Sequence, residues 1–117
     1  MRLIGSKQEQ EFRNELIMSH KALFEDDSGN RLLRVLKMYF EGFKTAYIIN
    51  WIPEQGEDLY TVLIDTDMIA KVEVSKIAQN DEAIVETFKL KEFERGLSKL
   101  SQIKLAVALD LAQKDMK

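Results

Sequence analysis

The sequence has no cysteine. That removes disulfide frameworks, thiolate zinc sites and cysteine nucleophiles together. Its single histidine, His20, excludes a multi-histidine metal site by count alone. One proline and five glycines rule out collagen-like and linker-rich chains. The glycines Gly5, Gly29, Gly42, Gly56 and Gly96 stand apart, and none builds a GxGxxG or Walker A loop. No serine sits in a GxSxG elbow. No run approaches the roughly 18 apolar residues of a membrane span. The apolar stretch at the N-terminus is only Leu3-Ile4, far short of a signal-peptide core. These absences lead to the expectation of a cytoplasmic protein with no membrane contact and no cofactor.

What is present is a globular balance. Apolar residues make up 45% and charged residues 32% of 117 residues. A chain of this length can bury about two-thirds of its unfolded surface, enough for one core and too little for two. The expected organisation is a single domain over residues 1–117. Seventeen Lys and Arg oppose 20 Asp and Glu, giving a net charge of -3. Nucleic-acid binders neutralise phosphates with a basic excess, so the acidic balance argues against that class.

Ser6-Lys7-Gln8-Glu9 matches a capping box. Phe12, Leu16 and Leu23 then recur at helical spacing, which predicts a helix over about 7–24. The run from Glu25 to Asn30 breaks it with turn formers. Leu32, Val35, Leu36, Tyr39 and Phe40 share one face of a second helix over about 31–41, and Gly42 stops it. From Thr45 the period changes to two. Thr45–Trp51, Leu59–Ile64, Met68–Val74 and Ile84–Phe88 read as four strands. A short helical turn near 91–97 precedes a helix capped by Ser98 or Ser101 and running to about 114. Leu100, Ile103, Val107 and Leu111 form its stripe.

The order α-α-β-β-β-β-α segregates strands from helices. It predicts an α+β domain, an antiparallel four-stranded meander with its helices packed on one face. By strict alternation Tyr47, Ile49 and Trp51 face one way and Ala46, Ile48 and Ile52 the other. Both sets are apolar, so a homodimer through the uncovered face is a candidate arrangement.

Two sets of acidic residues invite a functional reading. Asp65, Asp67 and Glu73 could hold a hard cation, as in a metal-dependent hydrolase or nuclease. Asp-Thr-Asp is also ordinary turn chemistry. Asp65, Glu73 and Lys76 do not complete the acid-acid-lysine pattern of restriction-type nucleases, because the lysine follows Glu73 one position too late. The second set follows from topology. In a meander the first and third connections share one edge of the sheet. That edge gathers Glu54, Glu57, Asp58, Asp81 and Glu82 against Lys76, beside Trp51, the only tryptophan. An aromatic anchor rimmed by charge is typical of a protein interface. The expected function is a small acidic protein-binding domain, of an inhibitor or immunity type, whose partner is basic. The alternative is the metal-dependent hydrolase. No residue qualifies as catalytic, since His20 has neither a second histidine nor a recognisable nucleophile to work with.

Overall fold

The computed structural model describes residues 3–25, 31–77 and 83–117. The elements are α1 (Lys7–Glu25), α2 (Arg31–Tyr39), β1 (Ala46–Pro53), β2 (Glu57–Ile64), β3 (Met68–Ser75), β4 (Ala83–Lys89), α3 (Leu90–Glu94) and α4 (Lys99–Asp115). The strands form one antiparallel sheet in the order β1-β2-β3-β4. The α+β meander expected from the sequence is the observed fold.

The first helix starts as its sequence dictates. The Ser6 hydroxyl accepts the Glu9 amide at 3.2 Å. The Glu9 carboxylate accepts the amides of Ile4 and Gly5, both at 2.9 Å, and the Ser6 hydroxyl. The Ser6 hydroxyl thus satisfies a first-turn donor that helix geometry leaves orphaned, and the Glu9 carboxylate ties down the two amides that precede the helix. Those bonds, led by the Ile4 amide, hold the Glu9 carboxyl below its ordinary range. Asp110 on α4 is lowered too. Burial pushes it up, but Lys114 and Arg13, at 3.2 and 2.9 Å, more than offset that. A carboxyl depressed in the folded state stabilises above its unfolded pKa, and that stability is lost as pH falls through the folded value. Thermal melts should therefore show stability dropping below pH 4.5, the ordinary value for glutamate. A Glu9→Gln variant should lose less on acidification than the parent does. Equal losses would remove the cap from the account.

The helices occupy both faces of the sheet, where the sequence reading puts them on one. Leu32, Val35 and Leu36 of α2, with Leu23 of α1, pack on Ala46, Val62, Ala70 and Val72. Leu105, Val107, Ala108 and Ala112 of α4, with Leu16 of α1, pack on Tyr47, Leu63 and Ile69. Opposed residues across a ladder share a face, and neighbours along a strand do not. The consecutive buried pairs Leu63-Ile64 and Ile69-Ala70 therefore need cover on both sides. Helix α1 spans the β1 edge and contributes to both layers.

A β-bulge in β1 changes which side chain faces where. Ile48 pairs with Val62, but Asn50 pairs with Thr61, so the register slips across Ile49. One extra residue flips every side chain beyond it. Trp51 consequently lies opposite Tyr60, on the face of Ala46 and Ile48, and not with Tyr47 as strict alternation expects. Ile52 moves to the other face, in a row with Leu59, Glu73 and Ile84. Helix α4 does not reach that row, and Ile84 is 61% exposed. The stripe of α4 is also shifted. Leu100 is 54% exposed, whereas Leu105 and Ala112 are buried with Val107. Among the described residues no helix is long and apolar enough to cross a membrane.

Candidate functional site

The hairpin between β1 and β2 is tight. The Glu54 amide donates to the Glu57 carbonyl at 2.9 Å, leaving Gln55-Gly56 as the turn. That places Glu57 and Asp58 inside β2 instead of in a loop. Lys76, just after β3, joins the two connections. Its amide donates to the Gly56 carbonyl at 2.9 Å and its ammonium to the Glu54 carbonyl at 2.6 Å. The same ammonium lies 3.4 Å from the Asp58 carboxylate. The meander thus brings the start of the third connection against the first. Glu54 is exposed, while Glu57 and Asp58 are half-buried. Asp81 and Glu82, the other members of the acidic set, lie outside the described residues.

Trp51 stands on this edge with 55% of its surface exposed. It is nevertheless fixed. The indole N–H donates to Asp58 Oδ1 at 3.1 Å. Its ring lies 9° from the plane of Tyr60, with centroids 6.4 Å apart. Tyr60 was not singled out from the sequence, although the signal was present. A two-residue turn at Gln55-Gly56 pairs Glu54 with Glu57, and counting back sets Trp51 opposite Tyr60. Burial, and then the Asp58 charge, push the Tyr60 hydroxyl above its ordinary pKa.

Beside these rings is a groove of about 350 Å³. It runs between α1 and the half of β1 beyond the bulge. Its floor is Leu23, Leu32 and Ile48, and Glu15 and Lys104 stand on its rim. Those two form an ion pair of 3.4 Å. The groove exists because the bulge turns Trp51 toward Tyr60, so that the indole becomes a wall.

The other acidic set does not assemble. Asp65 is a backbone cap, its Oδ1 accepting the amides of Lys44 and Thr45 at 2.8 and 3.0 Å. Asp67 is exposed in the same turn. Glu73 lies five positions along β3 from Met68, about 16 Å from that turn at strand rise. Among the described residues no group of three acidic or histidine side chains is placed to hold a metal ion. His20 is built into the fold. Its Nδ1 lies 3.0 Å from the Ala46 carbonyl, and its ring stacks on Tyr47 at 4.5 Å.

A polar cluster missed from the sequence anchors the end of α4. Asp115 Oδ2 accepts the hydroxyls of Thr45, at 2.8 Å, and Tyr47. Burial first, then the hydrogen bond to Asp115, raise the Tyr47 hydroxyl well above its ordinary pKa. Only the folded chain brings Asp115 to Thr45, 70 residues away in sequence, so no local pattern announces the cluster. Comparison with protein-family models, curated proteins and solved structures finds no match.

Proposed function

We propose that this chain is a small acidic protein-binding domain, of the inhibitor or immunity type and acting inside the cell, that docks a basic partner protein across its Trp51 edge. One observation carries the reading: the only tryptophan is more than half exposed, yet held by Asp58 and Tyr60 in a single orientation. An exposed indole loses little further freedom on binding when it is already fixed, so its burial against a partner contributes fully. The rim favours a basic partner. Glu54 and Glu57 make no side-chain ion pair among the described residues, and the whole chain carries a net charge of -3. Uncompensated carboxylates steer a basic surface during encounter.

The test uses the partner recovered by affinity capture from the native cell and measures its association and dissociation rates. Reversal of Glu54 and Glu57 to lysine should slow association and flatten its salt dependence, because exposed charges are screened over about 10 Å at 0.1 M. Asp58 is the wrong residue to reverse, since it fixes Trp51 and meets Lys76. Trp51→Ala should speed dissociation by about thirtyfold, the equivalent of about 2 kcal/mol for a central aromatic anchor. A captured protein whose rates ignore both changes would overturn the proposal.

A further inference from the structure

The geometry points to one arginine side chain of the basic partner as the occupant of the groove beside Trp51, an inference that rests on the proposed role of this edge. Three features of the groove select that side chain. The floor is apolar, made by Leu23, Leu32 and Ile48, and suits the aliphatic stem of a long residue. The wall is a pair of nearly parallel rings, Trp51 and Tyr60. A guanidinium is planar and weakly hydrated, and it stacks on such faces; a lysine ammonium is compact and holds its water. The third feature is negative charge with capacity to spare. Asp58 lies just outside the groove lining, 3.1 Å from the indole Nε1 of its Trp51 wall, and Glu15 lines the groove together with Lys104.

Each of those carboxylates already has a lysine nearby, at 3.4 Å in both cases. Strong charge-assisted bonds are about 2.7–2.9 Å, as Arg13 and Asp110 show at 2.9 Å. A carboxylate offers about four acceptor sites, so a loose lysine leaves room for a guanidinium. A purely apolar side chain would cover the floor and leave both carboxylates without a new partner. Lys76 then has a defined place: its ammonium stays on the Glu54 carbonyl, and from 3.4 Å its charge opposes a second cation at Asp58.

Trp51 is the only tryptophan, so intrinsic fluorescence reports this site directly. The probe is the peptide acetyl-Gly-Arg-Gly-amide. Its comparators carry lysine, or citrulline, which keeps the planar shape without the charge. The arginine peptide should give a saturable change, bind about fivefold or more tightly than the citrulline peptide, and bind less tightly as salt rises. Asp58→Asn, which keeps an oxygen for the indole N–H, should weaken the arginine peptide more than the citrulline peptide. Lys76→Met should tighten the arginine peptide and leave the citrulline peptide unchanged, because the lost charge opposes only a charged ligand at Asp58. Equal binding of arginine and citrulline, or no saturable change with any peptide, overturns the inference. So does a Lys76→Met variant that binds more weakly while its melting curve matches the parent. If the arginine peptide fails while Trp51→Ala still releases the captured partner, the edge keeps its role and the arginine falls. If the peptide binds but partner release ignores Trp51, the groove stands as an arginine site and the partner surface lies elsewhere.

Discussion

Replacing Val107 by aspartate should leave the domain unfolded or insoluble. Val107 is 0% exposed and packs among Leu16, Leu105, Tyr47 and Leu63, where α1, α4 and the sheet meet. The buried polar side chains among the described residues are Glu9 and Thr45, and both are already engaged, as is the Tyr47 hydroxyl that donates to Asp115. An unpaired carboxylate there must stay charged without solvent, take up a proton, or pull the helix off the sheet. Each course costs about 4 kcal/mol or more, against a total of about 5–15 kcal/mol for a typical domain. The control is Leu100→Asp on the same helix. Leu100 belongs to the stripe read from the sequence, yet it is 54% exposed, and its loss should leave the melting temperature within a few degrees of the parent. Circular-dichroism melts and soluble yield distinguish the two variants. A soluble Val107→Asp protein that melts cooperatively near the parent temperature would show that α4 is not part of the core.

The contrast between Val107 and Leu100 shows where sequence periodicity stops being informative. Spacing identified α4 and put Val107 inside. It could not tell where the sheet beneath the helix ends, and Leu100 falls beyond the covered rows. The meander was legible because its strands are short, rich in β-formers and separated by turn chemistry, with clear alternation in β3. The second helical layer was half legible. Tyr47-Ile48-Ile49 and Val62-Leu63-Ile64 are apolar on consecutive positions, which already demands cover on two faces. The bulge was not legible. Nothing in Ile48-Ile49-Asn50 distinguishes a bulged strand from a regular one, and the slip appears only when the ladder to β2 is counted from both ends. Its consequence for the site is large, since it sets Trp51 against Tyr60 and Asp58. The acidic edge was legible as topology, because alternate turns of a meander share a side. Its chemistry was not, because Lys76 and Trp51 both take up part of Asp58.

Asp65→Ala should be the most destabilising of three substitutions at its position, and the ranking separates a structural aspartate from a metal ligand. Asp65 has φ of 54°, the left-handed region, and is the only described residue other than glycine found there. Aspartate and asparagine tolerate that region better than alanine, for which it costs roughly 1–2 kcal/mol. The side chain also accepts the Thr45 amide, and Thr45 is 2% exposed, so its donor has no access to water when the acceptor is removed. An orphaned buried donor costs about 1–3 kcal/mol. Alanine incurs both penalties, for a total of about 2–5 kcal/mol and a fall in melting temperature of about 10 °C or more for a chain of this size. Glycine relieves the backbone but still loses the acceptor, so it should fall between. Asparagine keeps an oxygen at Oδ1 and accepts the same conformation, so it should stay within about 1 kcal/mol of the parent. The order Asn, Gly, Ala is the signature of a cap. A carboxylate holding a cation predicts the reverse at its first step, because asparagine would remove the charge that the ion needs. If Asp65→Asn proves the most damaging change and its deficit appears only when divalent cations are present, Asp65 is a ligand after all and the cap is incidental.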